Sequence, residues 1–389
     1  MATQAVAAAR VRAETETVPW YVWCAVAATT SSMVGIHWDI SWHRSIGRDT
    51  FWTPAHVAIY LCGVLAGVSC GYLILTTTFA KAAHALRDSA VSVWGFRGPL
   101  GAFVAAWGGI AMLTSAPFDD WWHNAYGLDV KVISPPHMVL AVGMFAVQLG
   151  ALLLVLGWKN RANDDTRDTL ENLYLYVSGL VVFNMGTLVI EYTFPLFGHL
   201  PMYYRALALA IPFFLIALTM AAGVRWAATK IAAVYMIAWQ AINLVLPLFP
   251  AEPKLGPVLY QVKSFVPSFF PVWLIVPALF IDWTLQRYPH WATWKRAVAA
   301  GLGFQALVVA VQWPFTSFLL SPAGRNWFFY PDAFDYRTTT TSYFYRQLFY
   351  PWTKSPELFA AEMALSFAIA VIMMWLGLYW GGWLARVKR

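Results

Sequence analysis

The chain has 389 residues, of which 60% are hydrophobic, 17% aromatic and only 12% charged. That balance excludes a soluble globular domain and a disordered chain, and it describes a polytopic membrane protein. The formal net charge of +7 arises from Lys and Arg in short intervals between apolar runs, so it gives no reason to propose nucleic-acid binding.

In chain order, ten segments are predicted as membrane helices: about residues 18–37, 54–79, 98–118, 136–157, 173–194, 203–223, 226–247, 266–285, 294–315 and 358–384. Each is near the ~20 residues that a bilayer core requires. The first follows a stretch carrying Arg10 and Arg12 and has no small-residue cleavage site, so a retained helix is expected rather than a removable signal peptide. Sixteen of the 26 Lys and Arg residues fall in intervals on the N-terminal side, which orients both termini to the cytoplasm. The expectation is an all-α, polytopic transmembrane bundle of about ten spans built from helical hairpins. Cys24, Cys62 and Cys70 lie inside apolar runs, where cysteine behaves as a small hydrophobe, and imply no disulfide framework.

A polar pattern occurs twice, each time between two apolar runs. The first copy carries Asp39, Trp42, His43, Gly47, Arg48 and Asp49, then Thr53-Pro54-Ala55-His56. The second carries Asp119, Asp120, Trp122, His123, Gly127 and Asp129, then Ser134-Pro135-Pro136-His137. The Asp and His four residues apart share one face of a helix, about 6 Å along its axis. A loop of about a dozen residues brings the second His back, at the first turn of a helix opened by proline. Two imidazoles and a carboxylate form a metal-ligand set with positions left for water, dioxygen or substrate. Asp39, His43 and His56 make the first set, and Asp119, His123 and His137 the second. Asp49 and Asp129 are expected as acceptors for the imidazole N–H groups, with Arg48 and Asp120 beside them. His37 is a candidate extra ligand. The alternative is a set of interfacial polar residues capping helices and pairing with Arg44 or Arg48. Ligand chemistry alone leaves copper, non-haem iron and zinc open.

The segment from Asp39 to His56, with Trp42-His43, Arg48-Asp49-Thr50 and Thr53-Pro54-x-His56, resembles the copper-ligand segment of the C subunit of the copper membrane monooxygenases, the particulate methane and ammonia monooxygenase family. The family's second copper set, an Asn-His-His pattern, aligns with Asp119, His123 and His137, so an aspartate stands where the family has asparagine. The resemblance covers about residues 30–150. It implies copper at both sets, with Asp39, His43 and His56 as the catalytic one, and use of dioxygen to oxidise a small apolar substrate, a hydrocarbon or ammonia. It also implies an outside electron donor such as quinol, and partner subunits or a homo-oligomer in a bacterial inner or intracytoplasmic membrane. Two other roles fit the pattern: a copper acquisition or transfer protein that oxidises nothing, and a structural subunit of a larger complex.

The chain divides into a metal-bearing part (residues 1–157), a charged cytoplasmic linker (158–171) and an additional helical bundle (172–389) whose long outer loop, 316–357, is rich in aromatic residues. The bundle lacks the ligand pattern. Glu191 with His199, and Glu362 alone, are its only membrane-boundary groups with any claim to a third site.

Overall fold

The computed structural model describes residues 17–47, 49–80, 87, 90–127, 134–253, 262–329 and 348–388. Helices dominate them. In order they are α1 (Trp20–Ser45), α2 (Pro54–Phe79), α3 (Leu100–Tyr126), α4 (Pro135–Lys159), α5 (Asp164–Leu188), α6 (Pro201–Ala210), α7 (Pro212–Ala222), α8 (Ala227–Val245), α9 (Ile275–Arg287), α10 (Thr293–Leu319) and α11 (Pro356–Leu384). One element was not expected. Strands β1 (Val91–Val93) and β2 (Phe96–Gly98) form an antiparallel hairpin before α3. Its Trp94-Gly95 turn has both residues at positive φ, 51° and 87°, as a two-residue hairpin turn requires.

Seven helical stretches among the described residues are long and apolar enough to cross a membrane: Pro54–Phe79, Leu100–Tyr126, Pro135–Lys159, Pro201–Ala222, Ala227–Leu248, Thr293–Leu319 and Pro356–Leu384. The other three predicted spans differ for identifiable reasons. Helix α1 is long, but its C-terminal half carries His37, Asp39, Ser41, His43 and Arg44. Helix α5 begins at Asp164, earlier than expected, and spends its first turns on Asp164, Asp165, Arg167, Asp168 and Glu171. The eighth segment is helical only from Ile275. Pro267 and Pro271 each remove an N–H and bar the preceding residue from helical geometry, so the chain there is non-helical.

The described residues fall into two compact units. The first comprises residues 17–43, 49–181 and 386–388, and the second residues 44–47 and 182–385. Within the second unit, residues 265–272 are buried although non-helical, which an apolar bundle tolerates only if every backbone polar group finds a partner. Side chains supply several of these. The Ser45 hydroxyl accepts from Val266 N (2.7 Å), the Tyr235 hydroxyl from Val272 N (3.0 Å) and Gln312 Oε1 from Trp273 N (3.2 Å). The Phe269 carbonyl accepts from Trp239 Nε1 (2.8 Å) and Asn243 Nδ2 (3.2 Å). Tyr235, Trp239 and Asn243 follow one another at four-residue spacing, which lines them up on one face of α8. Glu362 lies 3.8 Å from Arg205, and buried His199 pairs with the Ser317 hydroxyl at 2.8 Å. Glu362 and His199 each therefore have a partner in the structure. The expected outer loop contributes the end of α10 and the short turns Pro322–Gly324 and Pro351–Thr353, while residues 330–347 lie outside the described set.

In the first unit, close helix contacts fix the frame on which the polar motifs stand. A Cβ on Gly108 of α3 would sit 2.6 Å from Val147 N and 2.7 Å from the Gly143 carbonyl of α4, and one on Gly109 would sit 2.7 Å from the Gly63 carbonyl of α2. Backbones can approach this closely only without side chains between them. Gly108→Ala is expected to destabilise the protein by about 1–3 kcal/mol through forced separation of α3 and α4. The control is Gly67→Ala, whose Cβ would meet nothing within 4 Å. Thermal unfolding of both variants in detergent tests this, and equal midpoints would show that the contact is not a constraint.

Candidate metal centre

The first motif is built by the end of α1, the loop that follows and the start of α2. Gly47, at φ 100°, turns the chain sharply after α1. Thr50 and Thr53 then lock the loop: Thr50 N donates to Thr53 Oγ1 (2.8 Å) and Thr53 N to the Thr50 carbonyl (2.9 Å). Pro54 opens α2 at its first turn. This short turn delivers Asp49 from the loop and His56 from α2 onto the face of α1 that carries Asp39 and His43. The helices meet closely beneath that point, since a Cβ on Gly35, one turn below Asp39, would lie 2.7 Å from Ile59 Cγ1 and 2.9 Å from Ile59 N.

Four side chains converge. His56 Nε2 lies 2.8 Å from Asp49 Oδ2 and 3.2 Å from Asp39 Oδ1. His43 Nε2 lies 3.4 Å from Asp49 Oδ2 and 3.7 Å from Asp39 Oδ2. The ligand atoms of Asp39, Asp49 and His56 all lie within 4.8 Å of one another, the one such trio among the described residues. The two aspartates are each 17% exposed and His56 18%, whereas His43 is 50% exposed and marks the open side.

These spacings suit a shared cation. Two donors each about 2.1 Å from one ion are about 3.0 Å apart at a right angle and about 3.4 Å apart at the tetrahedral angle. The contact between Asp39 Oδ1 and His56 Nε2, at 3.2 Å, is at the long end for a hydrogen bond. His56 Nε2 can offer one proton at most, yet a carboxylate oxygen of Asp39 and one of Asp49 both face it, an arrangement suited to atoms grouped around a common centre. Burial pushes the Asp49 carboxyl up, but hydrogen bonds from His43 and His56 and the charge on both rings outweigh it. The group is held far below the usual carboxylate range and is ionised.

The second motif shares several local features with the first. Gly127 ends α3 at φ 87°, Pro135 opens α4, and the Ser134 hydroxyl accepts from His137 N at 3.5 Å. Asp119 Oδ1 lies 3.7 Å from His123 Nε2 and 3.5 Å from His137 Nε2. The structure thus brings together each Asp and its two His. Asp120 instead faces Asn124, whose side-chain amide donates to the Asp120 carbonyl (2.8 Å) and carboxylate (3.4 Å), on an exposed part of α3. His37 is fully buried, two residues from Asp39 and so on a different helix face, and it is absent from the converging group. Arg48 and Asp129 lie outside the described residues. Comparison of the chain with protein-family models, with curated proteins and with solved structures gave no match.

Gly35→Val should wedge α1 from α2 and draw Asp39 away from His56, weakening binding of a divalent cation at least tenfold with helix content retained. Calorimetric titration of the purified variant checks this. Unchanged affinity would mean that the helix contact does not set the ligand spacing.

Proposed function

We propose that this chain is a copper-binding integral membrane protein of the copper membrane monooxygenase type, which uses dioxygen to oxidise a small apolar substrate such as a short hydrocarbon or ammonia. The observation that carries the reading is the convergence of Asp39, Asp49, His43 and His56 at donor spacings suited to one ion, in a segment whose residues resemble that family's copper ligands. Asp39, His43 and His56 hold the first copper, and Asp119, His123 and His137 hold the second. Copper bound at such a site supplies the one-electron chemistry that activates dioxygen.

The chain's own residues do the rest. Asp39 supplies a charge already buried at the end of α1, so that the cation has a low-cost partner in an apolar setting. The neutral rings of His43 and His56 give directional donors. The half-exposed side of His43 leaves an approach for substrate. Apolar rings ring the site: Phe51 packs against Trp52 at 4.9 Å and against Tyr60 at 5.2 Å. Around the second motif, Trp121, Trp122 and Tyr126 pack on one another. Exposed aromatic residues of this kind suit a membrane boundary. In the orientation given by the Lys and Arg distribution, both motifs face outward and both termini are cytoplasmic. Electrons then come from a donor outside the chain, such as quinol, and partner subunits or further copies complete the enzyme.

The same exposure of His43 favours one other reading, a protein that acquires or transfers copper without oxidising anything, since an open ligand permits exchange. Oxygen uptake with a quinol and a panel of small substrates separates the two. Coupled turnover supports the oxidase reading, and metal exchange without uptake supports the carrier.

Copper content of purified wild type and of an Asp39→Ala/His43→Ala variant is expected to differ by about one ion per chain; equal content removes the primary site. Both rings bind only through unprotonated nitrogen, and the hydrogen bond to Asp49 with the charges of Asp49 and Asp39 raises the His43 ring above its ordinary value, so affinity should already fall as pH drops through neutrality, by about tenfold per unit for each ring that protonates. Titrations at pH 7.5 and 5.5 test this, and pH-independent binding would exclude imidazole ligands.

A further inference from the structure

We infer that Asp49 is a direct metal ligand, which makes the first site a set of two imidazoles and two carboxylates that selects divalent cations by charge balance. This rests on the reading of the site as a metal centre and changes the part assigned to Asp49 within it. An acceptor that merely orients a ligating imidazole takes the N–H on the ring nitrogen that the metal does not use. Asp49 is on the other side. Its Oδ2 lies 2.8 Å from His56 Nε2 and 3.4 Å from His43 Nε2, and those are the same two nitrogens that face Asp39. His56 Nδ1, where an orienting carboxylate belongs, is buried without a hydrogen-bond partner among the described residues. Asp49 and Asp39 therefore approach the imidazoles from one side, the side of the shared centre, and with His56 they form the tight trio.

Charge makes the consequence specific. Two carboxylates and two neutral imidazoles sum to −2, so a divalent ion yields a neutral site and a monovalent ion leaves a net negative charge. At an apolar boundary an uncompensated charge is costly. The set thus favours the divalent over the monovalent ion, and oxygen donors also widen its range from copper toward zinc and iron. The Gly47 turn and the Thr50–Thr53 pair explain how a loop residue reaches the centre as reproducibly as a helical one.

The test places a sulfur at the position. Asp49→Cys is purified in detergent with the wild type and titrated with Co(II), and absorption, bound Co(II) and circular dichroism are recorded. The expected result is a thiolate-to-cobalt charge-transfer band absent from the wild type, whose cysteine nearest in sequence to a proposed ligand, Cys62, follows His56 by six residues, about 9 Å along α2. Loss of one bound Co(II) relative to the wild type at a hundred times the wild-type Kd, with unchanged helix content and melting, also supports direct ligation, because removing an orienting acceptor costs only about 10–100-fold. Co(II) bound at the wild-type stoichiometry, so that the first site is filled, without the band overturns the inference. Wild type that binds no Co(II), Zn(II) or Cu(II) instead overturns the reading of the site as a metal centre. A matched Asp120→Cys variant, on the exposed face of α3, should bind as wild type and show no band.

Discussion

Two aspartates held against the Nε2 atoms of two histidines, at the end of a helix pair, are the constraint on which the functional part of this structure depends. Ionised carboxylates near a bilayer are costly unless a compensating positive charge is at hand. Without a metal, the rings of His43 and His56 can serve by taking a proton. With a divalent cation, the metal takes that place and the rings become neutral donors. Either way the four side chains need one another, and the loop between α1 and α2 has to close to let them meet.

The rest of the first unit makes that closure possible. Gly35 lets α1 lie directly on Ile59 of α2, and Gly108, Gly109 and Gly63 let α3 approach both α4 and α2. The geometry is strictest at Gly108 and Gly109, where a methyl would first meet backbone of the neighbouring helix, 2.6 and 2.7 Å away, rather than a flexible side chain. The second unit answers a different problem, that of non-helical backbone inside an apolar bundle. Its solution is a ladder of polar side chains, Tyr235, Trp239, Asn243 and Gln312 with Ser45, each matched to one backbone group.

Much of this could be read from the residues. Apolar runs located helices, and the four-residue spacing of Asp39 with His43, and of Asp119 with His123, placed each pair on one face. Proline after the loop marked where the second histidine returns. Charge and position together were less legible. Asp49 sits in a loop, where no periodicity says which way a side chain points, and only the Gly47 and Thr50–Thr53 geometry turns it toward the Nε2 atoms. Asp120 follows Asp119 directly and so leaves its face by about 100°, which the pairing with Asn124 reflects. The interrupted eighth segment was signalled by Pro267 and Pro271, a signal outweighed by the surrounding Phe, Val and Trp in a reading based on hydropathy. The β1–β2 hairpin is too short for alternation to reveal, and only its Trp94-Gly95 turn hints at it.

Anomalous diffraction at the copper edge, on crystals of the protein loaded with copper, tests the central claim most directly. The account predicts a peak about 2.0–2.3 Å from a carboxylate oxygen of Asp39 and from His56 Nε2. A copper-loaded crystal with no peak there, or with His43 and His56 turned apart around ordinary solvent, would contradict it.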